Sequence, residues 1–156
     1  LAYLAIRVGE IDEALRALAQ ARQWSAGHPN LDLLEGLAHE QRALKASTLE
    51  QYASDLLNAK AHYEALPAQR GKLFASEVMP GATGATGALR LATVELLLGE
   101  PERSRERFEE ALRFEPNNVE ARLGLAEVEL DAGRPDEALR RASQLLETGG
   151  ADAWLL

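Results

Sequence analysis

A repeat of 34 residues is the feature that most restricts how this chain can fold. At eight positions of one segment, the same residue type occurs again 34 positions later. The matching pairs are Leu89 and Leu123, Leu91 and Leu125, Ala92 and Ala126, Val94 and Val128, Glu95 and Glu129, Leu96 and Leu130, Gly99 and Gly133, and Pro101 and Pro135. The run Asp-Glu-Ala-Leu-Arg at residues 12–16 also recurs at residues 136–140. A chain with a repeat of this length is predicted to form supersecondary units that stack on their neighbours to bury a common core.

Composition indicates that each unit is helical. Ala and Leu each occur 28 times among the 156 residues, and aromatic residues make up only 5%. Ala and Leu favour helices, whereas strands prefer β-branched and aromatic residues. We therefore expect an all-α protein.

The unit at residues 85–118 is predicted to contain two antiparallel helices. The first ends at Gly99, a residue type that adopts the left-handed conformation closing many helices. Pro101 suits the first turn of the second helix, where its missing N–H is not needed. Phe108 lies on the apolar stripe of that second helix. We expect equivalent turns at Gly9 and Gly133, and we expect Phe108 and Leu125 to be core residues.

At these positions the chain resembles the tetratricopeptide repeat (TPR) family. The matching residues in one unit are Leu91, Ala92, Glu95, Gly99, Ser104, Phe108, Ala111 and Pro116, and in the next Leu125, Ala126, Glu129, Gly133, Ala138, Ala142, Leu145 and Gly150. Glu95 and Glu129 replace the family's Tyr, Ser104 replaces an Ala, and Gly150 replaces the closing Pro. The resemblance implies a right-handed solenoid of antiparallel helix pairs, with a degenerate and partly inserted middle section.

This register divides the chain into six segments. They are a truncated unit at 1–28, a degenerate helix pair at 29–62, an inserted helix and Gly-rich loop at 63–84, complete units at 85–118 and 119–150, and the start of a further helix at 151–156. The degenerate pair is predicted to have helices at roughly 31–45 and 48–66, and the inserted helix to span about 68–78. Both ends expose repeat faces, so we expect a fragment of a longer array and leave self-association through these ends open.

Charge and residue usage exclude several classes of protein. The net charge of −8 disfavours binding to nucleic acid. No apolar run approaches the roughly 20 residues needed to cross a bilayer, so this segment is not expected to insert into a membrane. The absence of Cys removes disulfide and thiolate sites but does not distinguish cytoplasm from periplasm.

Motifs for catalysis, metals and cofactors are incomplete. The Gly-rich stretch at 81–87 lacks the Gly-Lys-Ser/Thr ending of a phosphate-binding loop. His39 and Glu40 begin a zinc-protease motif, but Ala43 occupies the place of the second His. A metal site would need His39 and His62 to meet in the fold, and we favour a surface position for His39. The charged residues of 102–113 are interpreted as a solvated helix face, and we expect no enzyme, cofactor or metal.

The resemblance implies a concave groove lined by the first helix of each unit. The predicted partner-binding positions are Arg90, Thr93, Leu97, Glu120, Leu123, Glu127 and Asp131, with Thr86, Leu89 and Gly124 beside them. Glu120, Glu127 and Asp131 share one stripe of one helix. This stripe either favours a basic or amide-rich ligand or is simply a solvated acidic face, and the sequence leaves both interpretations open. Some TPR proteins bind C-terminal carboxylates with a Lys and an Asn on the first groove helix, and this chain has neither residue at those positions. Arg90 is the cationic residue among the predicted groove positions.

Two functions remain open from the sequence. The first is an interaction scaffold within a larger, bacterial protein that binds a protein or peptide in the groove. The second is a docking or spacer region attached to an enzyme or to an envelope polysaccharide-export machine.

Overall fold

The helical prediction is confirmed in the computed structural model, which describes residues 2–66 and 85–147. These residues form eight helices and no strand. The helices are α1 (Ala2–Val8), α2 (Ile11–Trp24), α3 (Pro29–Ala43), α4 (Leu49–Glu64), α5 (Thr86–Leu97), α6 (Pro101–Phe114), α7 (Val119–Asp131) and α8 (Pro135–Glu147). α3 and α4 lie close to the positions predicted for the degenerate pair. The predicted inserted helix, most of the Gly-rich loop and the segment 151–156 lie outside the described residues.

Local sequence explains where the helices begin and end. Gly9, Gly99 and Gly133 have φ angles of 88°, 75° and 72°, so all three predicted turns use the left-handed conformation that Gly adopts without strain. The side chain of Thr48 accepts a hydrogen bond from the Gln51 amide at 3.2 Å and so caps α4. Asn118 caps α7 in the same way.

The helices pack as a right-handed solenoid of antiparallel pairs. Within the described residues, α1 packs on α2, α3 on α4, α5 on α6 and α7 on α8. Successive pairs join because α2 packs on α3, α4 on α5 and α6 on α7. The first helices α1, α3, α5 and α7 also contact one another in order along the array. They form one layer of the array, on the side that the family resemblance predicts to be concave. None of the described helices has the length and apolar character needed to cross a membrane.

Two aromatic residues pack against the backbone of facing helices. A Cβ added at Gly124 of α7 would lie 2.2 Å from Cζ of Phe108 on α6. A Cβ at Gly36 of α3 would lie 2.5 Å from Cε1 of Tyr63 on α4. Phe108 and Leu125 are each 3% exposed, which confirms their predicted place in the core.

Buried ion pairs also join neighbouring helices, both within one unit and between units. Arg105 on α6 hydrogen-bonds the buried Glu129 of α7 at 2.5 Å. Glu95 of α5, one period earlier, is equally buried and lies 3.8 Å from Nζ of Lys60 and 3.9 Å from Nε of Arg107. The interpretation of α6 as only a solvated charged face is therefore wrong, because two of its Arg side chains reach buried carboxylates on neighbouring helices.

Candidate functional site

The predicted groove residues lie on two adjacent first helices. Arg90, Thr93 and Leu97 belong to α5, while Glu120, Leu123, Glu127 and Asp131 belong to α7. α5 and α7 contact each other directly. A cleft of about 490 Å³ lies at this point and is lined by Thr93, Phe108, Val119, Glu120, Leu123, Gly124 and Glu127. Four of the seven predicted residues therefore line one cavity.

The acidic stripe faces solvent. Glu120, Glu127 and Asp131 are all exposed, and among the described residues none of the three has a cation within ion-pair distance. Many carboxylates elsewhere in the array are paired with Arg or Lys. This part of α7 thus presents negative charge that the described protein does not neutralise.

Arg90, the cation predicted at the groove, is already paired. Its guanidinium lies 3.3 Å from Oε1 of the buried Glu40 on α3, and the Tyr63 hydroxyl donates to the other oxygen of Glu40 at 2.8 Å. Burial raises the pKa of Glu40, and the nearby Arg90 opposes that rise. The field of Glu120 acts on both Glu40 and Arg90. The local surface therefore stays anionic although it contains an Arg.

Several of the other predicted positions serve the core rather than the surface. Thr86, Leu89 and Gly124 are buried, and of these three Gly124 lines the cleft, whereas Thr86 and Leu89 do not. Thr93 is half-buried, and its hydroxyl donates to the Leu89 carbonyl oxygen at 3.0 Å. Leu97 is 43% exposed at the end of α5. The ligand-accessible part of the predicted set is thus centred on α7.

A second cluster of polar residues lies between α3 and α4. The rings of His39 and His62 stack with their centroids 5.7 Å apart. Nδ1 of His39 lies 3.1 Å from the Asp55 carboxylate, and its side chain is only 14% exposed. The predicted surface position of His39 is therefore wrong, and burial lowers its pKa. The contact between His39 and His62 depends on how α3 packs on α4, and this packing could not be predicted from the sequence.

The same cluster contains three possible metal ligands. Single ligand atoms of Asp32, Glu35 and His62 lie within 4.8 Å of one another. However, Arg22 of α2 hydrogen-bonds Glu35 and donates to Asp32 at 2.8 Å. Its guanidinium already supplies the positive charge that a metal ion would bring, so we interpret these residues as an ion-pair network between helices.

Comparisons with known proteins agree with this architecture. The sequence profile of the tetratricopeptide repeat family matches residues 95–155. The crystal structure of TTC0263, a thermophilic TPR protein from Thermus thermophilus, superposes with a TM-score of 0.71 at 25% identity, covering 100% of this chain and 79% of that one. No curated protein sequence matches the chain.

Solved structures of MamA are also similar in fold. One crystal structure has a TM-score of 0.62 at 17% identity and covers 98% of this chain and 72% of that one. Another structure, titled MamA MSR-1, has a TM-score of 0.60 at 18% identity and covers 95% and 74%. The chain has the fold of a TPR solenoid, and residues 95–155 carry the family's sequence pattern.

Proposed function

We propose that this chain is a non-enzymatic interaction scaffold whose concave groove holds a partner protein segment rich in Lys, Arg or amide side chains. The TPR fold suggests a scaffold of this kind in general terms. The chemistry of the partner is inferred from this chain's own residues.

The exposed stripe of Glu120, Glu127 and Asp131 carries the proposal. Their carboxylates lack cationic partners among the described residues. Glu120 and Glu127 line the cleft between α5 and α7, and Asp131 lies one helical turn beyond Glu127. Unpaired surface charge attracts an oppositely charged ligand, and the net charge of −8 would speed its encounter. Pairing of Arg90 with Glu40 offsets part of its positive charge and so reduces its repulsion of a basic ligand.

The test compares two charge-matched variants for binding to a fluorescent oligolysine peptide. The first carries Glu120→Gln, Glu127→Gln and Asp131→Asn in the groove. The control carries Glu50→Gln, Glu106→Gln and Glu109→Gln, which removes the same charge from exposed positions on α4 and α6. Because each exposed contact contributes roughly 0.2–1 kcal/mol, the groove variant should bind several-fold more weakly.

Salt adds a second readout. Screening acts on exposed charges, so wild-type binding should weaken between low and physiological salt, and the groove variant should respond less. Folding should be unaffected in both variants, since solvated surface groups rarely contribute more than about 0.5 kcal/mol. Equal loss of binding in the two variants would mean that only net charge attracts the peptide, and the proposal would be wrong.

A further inference from the structure

The cleft between α5 and α7 combines an apolar floor with an acidic rim. Its floor includes the Phe108 ring, which packs against Gly124, and the half-buried Leu123. Its rim includes Glu120 and Glu127, both exposed. Neither the apolar floor nor the acidic rim alone identifies a ligand. Together they favour a ligand that has an apolar side chain between two cationic side chains.

The positions of the rim carboxylates set a spacing. Glu120 and Glu127 are seven residues apart on α7, which corresponds to about 10.5 Å along the helix axis. Leu123 and Gly124 lie midway between them in the sequence. An apolar side chain that enters the cleft would therefore have one carboxylate on each side of it.

The shape of the cleft favours an extended ligand over a helical one. Neighbouring packed helices have axes about 8–10 Å apart, whereas a helix with its side chains is about 10–12 Å wide. A helix would thus rest above α5 and α7 without entering between them. In an extended chain, alternate side chains point the same way and are about 6.6 Å apart.

We infer that the cleft binds one aliphatic side chain of an extended partner segment that carries Lys or Arg two residues before and two residues after it. This inference rests on the proposed function, because it specifies the ligand of the same groove. The two cations of such a segment are about 13 Å apart, and their long side chains can reach the carboxylates of Glu120 and Glu127.

The apolar anchor is required by the cleft's own composition. The hydroxyl of Thr93 already donates to Leu89 within α5, and Phe108, Val119 and Leu123 contribute apolar atoms. A polar ligand side chain would lose its water there without gaining equivalent hydrogen bonds. An aliphatic side chain gains by leaving water.

The experiment uses three capped peptides of equal length with Ser and Gly at all other positions. The parent has a central Leu with Lys two residues on either side. One relative has Ser in place of the Leu, and the other has Glu in place of both Lys. Affinities for the whole chain are measured by fluorescence anisotropy at two salt concentrations, which leaves the protein unaltered and so avoids any effect on folding.

We expect the Leu-to-Ser peptide to bind roughly tenfold or more weakly than the parent at both salt concentrations, because burial of the Leu is lost. The Glu peptide should show no measurable binding. On the protein side, Leu123→Gln should reduce the affinity for the parent while hardly changing the affinity for the Ser peptide. Circular dichroism of this variant would verify that it is folded.

The outcomes separate this inference from the proposed function. If the parent and Ser peptides bind equally and both lose affinity in the Glu120→Gln, Glu127→Gln, Asp131→Asn variant, the acidic groove is supported and the apolar anchor is overturned. If neither peptide responds to that variant, both ideas are wrong. If the Leu peptide is preferred but Leu123→Gln leaves that preference intact in the folded protein, the anchor lies elsewhere and the inference about this cleft is overturned.

Discussion

Arg105 of α6 donates a hydrogen bond of 2.5 Å to Glu129 of α7, and this bond joins one repeat unit to the next. Arg134 donates a second bond to the same carboxylate at 2.6 Å. Glu95 occupies the equivalent position one period earlier, but its cations remain 3.8 Å or more away. Oε2 of Glu95 has no hydrogen-bond partner among the described residues. The two Glu residues occupy the same repeat position, yet the ionised carboxylate is well compensated by cations at Glu129 and poorly compensated at Glu95.

Replacement of each Glu by Gln should expose this difference. Glu129→Gln should lower the free energy of unfolding by about 1–3 kcal/mol, because it weakens charge-assisted hydrogen bonds to two Arg side chains. Glu95→Gln should change it by less than about 0.5 kcal/mol or increase it, because the buried charge there is poorly compensated. Urea denaturation at neutral pH measures both. Equal effects would show that the two carboxylates contribute alike.

The same pair predicts a dependence of stability on pH. Hydrogen bonding from Arg105 lowers the pKa of Glu129 from 4.5 to about 2, whereas burial raises the pKa of Glu95. Because the pKa of Glu129 is lower in the folded protein than in the unfolded chain, its ionised carboxylate stabilises the fold at pH values above 4.5. This contribution is lost as the pH falls from 4.5 to about 2. A raised pKa acts in the opposite direction, so protonation of Glu95 stabilises the fold as pH falls toward 4.5, the ordinary pKa of a Glu side chain.

Variants can assign these effects. Between pH 4.5 and about pH 2, Glu129→Gln should lose less stability than the wild type does. Between neutral pH and pH 4.5, Glu95→Gln should lack the gain that protonation of Glu95 gives the wild type. Thermal melts across this range provide the measurement, and pH profiles identical to the wild type would contradict both assignments.

How much the sequence predicts depends on whether a feature is local or tertiary. The turns at Gly99 and Gly133 could be predicted because a left-handed backbone conformation is set by the residue itself. The placement of Glu120, Glu127 and Asp131 on one exposed face of α7 could be predicted from their helical spacing. The pairing of Arg90 with Glu40 could not be predicted, because these residues are 50 positions apart across the segment where the repeat is least regular.

The charged helix α6 illustrates the same limit. In sequence, Arg105 has acidic neighbours on its own helix, and a solvated face is the simpler interpretation. In the fold it reaches Glu129 on α7. Partners within a helix can be counted from the sequence, but partners on another helix depend on how the two helices pack. The burial of Glu129 could have been predicted, because a Glu recurs at this repeat position among Leu, Ala and Val residues that form the core.

Loss of packing volume should be costly at Leu125. This residue is 3% exposed and belongs to the core formed by α5, α6 and α7. Leu125→Ala should reduce the free energy of unfolding by roughly 2–5 kcal/mol through loss of buried surface and formation of a cavity. Leu130→Ala is the matched control, because Leu130 is 57% exposed on the same helix. Similar denaturation midpoints for the two variants would mean that the register of the repeat is wrong.

Gain of a single methyl group should also be costly at Gly124. An added Cβ would lie 2.2 Å from the Phe108 ring, so the ring or the helix must move. Gly124→Ala should destabilise the protein by about 1–3 kcal/mol although Ala favours a helix. At Gly27 an added Cβ would meet nothing within 4 Å. Gly27→Ala should therefore be neutral or slightly stabilising, and equal loss in both variants, measured by urea denaturation, would argue against close packing at Gly124.

The pairing of Arg90 with Glu40 leads to a prediction for stability. Arg90→Gln leaves the buried carboxylate of Glu40 with the Tyr63 hydroxyl but without its cation, and should cost about 1–3 kcal/mol. Glu40→Gln in the same protein removes the uncompensated charge, so the double variant should recover part of that loss. Unfolding of the two single variants and the double variant forms a double-mutant cycle that isolates the pair. Additive effects would show that the two side chains do not interact.

The same substitution at Arg90 leads to a prediction for binding. The positive charge of Arg90 lies in the field of Glu120, so its removal leaves the groove more negative. Arg90→Gln should therefore bind oligolysine more tightly than the wild type at low salt, and the difference should shrink as salt increases because exposed charges are screened. Fluorescence anisotropy measures this, with circular dichroism to verify that the variant is folded. Weaker binding by a folded Arg90→Gln protein would mean that Arg90 contacts the ligand itself, and the ligand would then need an acceptor as well as a cation.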